Sequence, residues 1–220
     1  MVHDDATARD EAREHLENAR RPSSTPEGRS FLDTMNHGHH AELSAWGLPH
    51  LRLEPGFACL DVGCGGGANV ARLLEHCPEG RVLGVDYSPA SVDFASEVNA
   101  EAIAEGRCCI LPGDVAELPF SDRSFNVATA FETVYFWPEP ARAFAEVLRV
   151  LKPGGSFLVC NEADGSSPKS DVWDDVAGHM KIYTPDEIEA LMKASGFEVS
   201  SVDRVPEKGW VAVVGTRPEE

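Results

Sequence analysis

The 220 residues carry 19 Lys and Arg against 37 Asp and Glu, a formal charge of −18, and so acidic a balance repels phosphate backbones and anionic lipid surfaces. The length fits one α/β domain with a sizeable core rather than two. No segment approaches the roughly 18 consecutive apolar residues of a membrane span, the N-terminus lacks an apolar leader, and the six cysteines, without a C-x-x-C pair, read as reduced thiols. The expectation is a soluble, cytoplasmic protein with neither nucleic acid nor membrane as partner.

Residues 1–28 are charged and weakly helical and close on Arg20-Arg21-Pro22-Ser23-Ser24-Thr25-Pro26, a linker-like run. They predict a mobile or loosely docked arm ahead of a single domain over residues 29–220. Residues 29–53 bring Phe31, Leu32, Met35, Leu43, Trp46, Leu48 and Leu51 at spacings that suit short amphipathic helices, together with His37, His39, His40 and His50. They predict a helical preface over the mouth of a core spanning residues 54–220. The His-x-His-His cluster has no second ligand group at a recognisable spacing, so capping, packing or substrate contact is preferred and no metal is expected.

Phe57-Ala-Cys-Leu-Asp61 reads as a strand that breaks into Gly63, Gly65, Gly66 and Gly67 before a helical pattern with Val70, Leu73 and Leu74 on one face. Glycines there permit positive φ and close approach of a ligand, with amides of the following helix facing the same spot. Gly63-x-Gly65-x-x-Ala68 fits a dinucleotide fingerprint, while Asp61 at the strand tip suits the ammonium of an amino-acid ligand. A second strand, Arg81–Val85, ends at Asp86, placed 21 residues after Gly65 to accept hydrogen bonds from ribose hydroxyls. Ser88-Pro89 opens a helix to about Glu105, and a third strand covers Arg107–Leu111. Phe125–Phe131 is the fourth strand, with Glu132 to Trp137 at its carboxyl end. Pro138 opens the next helix, and Ser156–Cys160 is the fifth strand. Thr184-Pro-Asp-Glu187 is a capping box, and the strands near Phe197–Arg204 and Trp210–Thr216 form an antiparallel hairpin. The alternation demands a doubly wound, mostly parallel sheet.

The motifs Leu60-Asp-Val-Gly-Cys-Gly-Gly-Gly67, Gly84-Val-Asp86-Tyr-Ser88, Gly113-Asp114-Val115 ahead of Leu118-Pro-Phe120, Phe125-Asn126-Val127 and Leu148-Arg-Val-Leu-Lys-Pro-Gly-Gly155 resemble the class I S-adenosylmethionine-dependent methyltransferases over about residues 35–216. Met35-Asn36 to Trp46-Gly-Leu48, Glu132 to Trp137 and Asn161-Glu162 look like a bacterial subgroup acting on small molecules. The resemblance implies a Rossmann-like seven-stranded sheet. S-adenosyl-L-methionine would lie across the carboxyl ends of the first four strands, with S-adenosyl-L-homocysteine as product. Asp61, Gly63, Cys64 and Gly65 would hold the methionine end, Asp86 the ribose, Tyr87 the adenine face, Asp114 the adenine amino group with Val115 beside it, and the Phe131 carbonyl the ammonium. Asn126 stands where the family commonly has Asp, which reads as structural. The absence of an Asn/Asp-Pro-Pro-Tyr run, with the acidic charge, argues against nucleic-acid substrates.

A sulfonium methyl needs a nucleophile held in line, and a hydroxyl or protonated amine also needs a proton acceptor. Glu132 and His37 are the candidates, with His39, His40, Tyr135 and Trp137 as a substrate pocket. Two alternatives stay open. A nicotinamide-dependent oxidoreductase leaves Asp61 and Asp114 without roles, and a non-catalytic S-adenosylmethionine-binding protein is separable by turnover.

Overall fold

A computed structural model describes residues 17–165 and 180–219; residues 1–16 of the expected arm lie outside them. The preface forms α1 (Pro26–Met35), whose cap Thr25 accepts the Gly28 amide at 3.3 Å, then α2 (Gly38–Gly47) and a 3-10 turn, Leu48–His50. Strand and helix then alternate: β1 (Ala58–Val62), α3 (Ala68–His76), β2 (Arg81–Asp86), α4 (Pro89–Val98), α5 (Ala100–Ala104), β3 (Cys108–Pro112), β4 (Phe125–Phe131), α6 (Pro140–Val150) and β5 (Leu151–Asn161). The chain continues through α7 (Pro185–Ala194), β6 (Glu198–Val205) and β7 (Trp210–Thr216).

The strands form one seven-stranded sheet in the order β3-β2-β1-β4-β5-β7-β6, parallel from β3 to β5 and antiparallel at β7 and β6. This is the doubly wound sheet with a terminal hairpin that the alternation predicts. All five residues of β1 are buried, as a central strand covered on both faces requires. Winding leaves β1 outward to β3, then returns to β4 on its other side. That reversal opens a crevice beyond the carboxyl ends of β1 and β4, where ligands of such sheets bind.

One face of the sheet packs Phe125, Phe144, Phe157, Ile188 and Met192 under α6 and α7. The other packs Leu43, Leu48, Val70, Leu73 and Leu158 under α2 and α3. Leu43 and Leu48 are almost fully enclosed, and such burial contributes about 1.5–3 kcal/mol per side chain. Helix α2 lies so close to β5 that a Cβ on Gly47 would stand 2.7 Å from the Cys160 sulfur. The preface is therefore part of the core, not an appendage.

Local chemistry explains where the boundaries fall. The helix expected to run from Ser88 to Glu105 breaks at Asn99, whose side-chain amide donates to Ala95 O at 2.9 Å and to Gly67 O at 3.1 Å. The helix expected from Pro138 starts at Pro140, after Glu139 as N-cap. Strand β5 starts at Leu151, earlier than expected, with a register irregularity opposite Phe125 and Val127. Asn126 has the structural role its position suggests, its Oδ1 accepting from the Ala58 amide at 3.0 Å and from Lys152 Nζ at 2.8 Å. Thr184 and Glu187 make the predicted capping box. Beyond β7, the Arg217 guanidinium donates to the carbonyls of Leu148, Arg149 and Leu151 at 2.8–3.0 Å, closing the end of α6.

The arm expected over residues 1–28 needs correction. Its boundary falls inside α1, residues 17–20 are helical, and Pro22 is buried. The Tyr87 hydroxyl donates to Arg20 O, and Ser88 Oγ donates to Pro22 O at 3.4 Å. This stretch is docked on the loop after β2, because two polar groups there meet carbonyls that a linker would leave to water.

Candidate active site

A cavity of about 600 Å³ opens at the carboxyl ends of the parallel strands. From β1 it takes Val62, Gly63, Gly65 and Gly66; from β2, Val85, Asp86 and Tyr87; after β3, Gly113, Asp114 and Val115; from the end of β4 onward, Phe131, Glu132, Thr133, Tyr135, Phe136 and Trp137. Phe31, Leu32 and Met35 of α1 and Ala19, Arg20 and Pro22 of the docked arm close one side. Met180, Lys181 and Tyr183 complete the far wall. Aromatic and aliphatic walls with a few convergent polar groups suit a small organic ligand.

The glycine loop is tied down rather than open. The amides of Gly63 and Cys64 donate to Val85 O at 2.8 and 3.0 Å, and the Gly65 amide donates to an Asp86 carboxylate oxygen at 2.9 Å. Those three donors are spent within the protein. Its glycines also differ in kind. At Gly63, φ is +72° and a Cβ would stand 2.1 Å from Thr133 Oγ1, whereas at Gly65, φ is +50° and nothing lies within 4 Å. Gly63 is required by packing, and Gly65 leaves space for a ligand.

Asp86 joins this loop to the next helix, its other oxygen accepting the Ser88 amide at 2.9 Å. Burial raises its pKa above the ordinary carboxylate value, opposed by those two amides. Asp61 departs from its expected place. It does not line the cavity but is enclosed between β1 and β4, where Thr129 Oγ1 donates to it at 2.7 Å. Burial pushes it up to about 7, with the Thr129 bond opposing. The Cys64 side chain is likewise buried behind the loop, its thiol pushed well up by burial.

Glu132 lies at the tip of β4 with φ +57°, a left-handed conformation uncommon for a side chain of this size. Part of the residue faces the cavity, but its carboxyl is enclosed. It accepts the Glu162 amide and, at 3.3 Å, the Tyr135 hydroxyl, which itself accepts the Ala163 amide at 3.1 Å. Burial, then the neighbouring Glu162 carboxylate, push Glu132 well above the usual range. Trp137 lines the cavity while packing edge-on against Phe144 at 5.6 Å, so it is wall and core together.

His37, His39 and His40 are not cavity residues. His37 is exposed, precedes α2, and bonds through Nδ1 to Asp33 O at 2.7 Å. His39 and His40 turn toward Glu162 at the end of β5, with His39 Nε2 in contact with the Glu162 carboxylate. His37, expected as a proton acceptor, and His39 and His40, expected in the substrate pocket, do not line the cavity; His39 and His40 group with Glu162 instead. The sequence reading also missed Thr133, Met180, Lys181 and Tyr183. Only their nearness to Glu132 and to the capping box was visible.

The fold, with its sheet order and terminal hairpin, is one shared with S-adenosylmethionine-dependent methyltransferases. Residues 60–159 match the family described as a methyltransferase domain. It is 32% identical over 158 residues to 24-methylenesterol C-methyltransferase 2 of Oryza sativa subsp. japonica, covering 68% of this chain and 43% of that protein. It is 30% identical over 165 residues to O-methyltransferase cnsE of Penicillium expansum, covering 71% and 58%. The chain thus spans less than two thirds of either relative. Among solved structures, a SAM-dependent methyltransferase from Aquifex aeolicus shares the fold with a TM-score of 0.73 at 20% identity, covering 86% of this chain and 97% of that one. Among the described residues no helix is long and apolar enough to cross a membrane.

Proposed function

We propose that this protein transfers a methyl group from S-adenosyl-L-methionine to a small organic acceptor, with Glu132 and Tyr135 orienting the acceptor. The observation that carries the reading is the convergence of the β1, β2, β3 and β4 loop ends on one cavity. The space beside Gly65 and the Asp86 carboxylate fit an adenosyl ligand in particular. Asp86 would hold the ribose, Tyr87 and Val115 the adenine faces, Asp114 the amino group, and the Phe131 carbonyl the ammonium. When bound, the cofactor supplies an activated sulfonium methyl, so the protein contributes chiefly alignment and exclusion of water.

The acceptor side is bounded by Glu132, Tyr135, Phe136, Trp137 and Tyr183, which favours an acceptor with an apolar body and one polar group. A sterol C-methyltransferase and an O-methyltransferase among the relatives support small-molecule methylation and leave carbon and oxygen both open. No nucleic-acid partner is proposed, given the charge of −18. A thermal-shift panel with S-adenosyl-L-methionine, S-adenosyl-L-homocysteine, NAD and NADP tests the cofactor. The adenosyl-amino acid ligands should stabilise by about 2.7 kcal/mol at 100 times their Kd, and a larger shift with NAD would reverse the assignment. A labelled-methyl screen of metabolite extracts then supplies the acceptor. On it, Glu132→Gln should lower turnover by roughly 10²-fold while S-adenosyl-L-homocysteine affinity stays within about threefold. Collapse of cofactor affinity would move Glu132 out of the acceptor pocket, and binding without any turnover would favour a non-catalytic protein.

A further inference from the structure

Behind the Glu132 wall, the structure brings together three side chains that the sequence holds far apart. His39 and His40 begin α2, and Glu162 lies 123 residues after His39 at the end of β5. One ligand atom from each lies within 4.8 Å of the others, and the two imidazole rings are 4.0 Å apart at their centroids. We propose that His39, His40 and Glu162 bind a divalent transition-metal ion of the zinc class, clipping the preface to the sheet beside the cavity.

Donor chemistry selects the ion. Two imidazole nitrogens and one carboxylate suit zinc and its first-row neighbours, and leave a fourth position for water; magnesium and calcium prefer oxygen sets. Charge favours a cation at this point. The Glu162 and Glu132 carboxyls are neighbours, and among the described residues neither is paired with a lysine or arginine. Placement is two-sided, since α2 supplies both nitrogens and β5 the oxygen, so an ion would join elements that otherwise meet through apolar contacts such as Gly47 against Cys160. On binding, the ion replaces the direct contact between His39 Nε2 and the Glu162 carboxylate, with each nitrogen donating its lone pair and any imidazole proton released to solvent. Glu162 also holds the Glu132 carboxyl through its backbone amide, so an occupied site would fix a residue that borders the acceptor pocket.

The site stands independently of the methyl-transfer reading, and one set of measurements separates them. The full chain, stripped with chelator, is titrated with zinc by calorimetry and with cobalt(II) by visible absorption, while S-adenosyl-L-homocysteine affinity is measured alongside. One saturable equivalent is expected, with a cobalt spectrum free of thiolate charge transfer. His39→Gln, His40→Gln and Glu162→Gln should each weaken binding by tenfold or more, and Cys109→Ser should leave it unchanged. His39 is exposed, so its replacement leaves the core intact, and an unaltered circular-dichroism spectrum checks this. Absence of saturable binding, a thiolate band, or parental affinity retained in all three variants would overturn the site and leave His39 and Glu162 in direct contact with each other. Metal binding without adenosyl binding would overturn the proposed function and leave the metal site standing.

Discussion

Replacing Asp86 with asparagine separates the two duties its carboxylate has in this structure. The side chain accepts the amides of Gly65 and Ser88, each at 2.9 Å, and faces the cavity. Asparagine keeps the size and one acceptor oxygen but turns an NH2 toward one of the two donors. A hydrogen bond to a charged acceptor contributes about 1.5–3 kcal/mol. Part of that loss returns because the buried carboxylate no longer has to be desolvated, the effect that raises its pKa. The unliganded protein should therefore lose about 1 kcal/mol, or roughly 2–4 °C in Tm for a domain of this size. Cofactor affinity should fall further, by one to two orders of magnitude, because the ribose bond disappears as well and each 1.4 kcal/mol is tenfold. Titration calorimetry with S-adenosyl-L-homocysteine and thermal melts of the free protein give the two numbers. An unchanged Kd beside a lowered Tm would show that Asp86 serves only the loop, and the ribose assignment would fall.

Gly63→Ala should destabilise the fold by on the order of 3 kcal/mol in urea titrations, since strain at φ +72° adds to a collision with Thr133. Gly65→Ala should cost about 1 kcal/mol of stability yet weaken S-adenosyl-L-homocysteine binding, because its methyl group enters open cavity space; the reverse ranking would exchange their roles. Asp61 has a folded-state pKa of about 7 against an ordinary value of 3.8, so its ionisation costs stability as pH rises from about 4 and the cost is complete above about 7. Between pH 5 and 8, Asp61→Asn should gain on the parent by about 2–3 kcal/mol, and parallel stability curves would refute the burial argument. Removing residues 1–22 should raise the Kd for S-adenosyl-L-homocysteine, since Ala19, Arg20 and Pro22 border the cavity; identical affinity would mean that the docked arm takes no part in retention.

What sequence reveals here is what repeats locally. Alternating strands and helices, the cap at Thr184 and the glycine break after β1 are signalled within a few residues, and the structure follows them. The helix break at Asn99 was not legible, because it depends on a bond to Gly67 O, 32 residues away. Asp61 was placed at the ligand because a strand-tip acid beside glycines looks exposed, whereas its partner, Thr129, arrives from β4. The histidines were assigned to the mouth by composition alone. Helix α2 turns His39 and His40 toward β5 instead, and no short-range pattern couples them to Glu162.

The grip of Arg217 on the end of α6 has a practical consequence for handling the protein. Strand β7 runs antiparallel to β5, from Val211 opposite Asn161 to Thr216 opposite Ser156 midway along β5, whereas Glu162, just past the finish of β5, adjoins Glu132 of the cavity. The polypeptide after β7 therefore leaves from the pole of the sheet opposite the mouth. An affinity handle or surface tether attached beyond Arg217 would point away from entering molecules, while one placed just before Glu17 would crowd the opening beside Arg20.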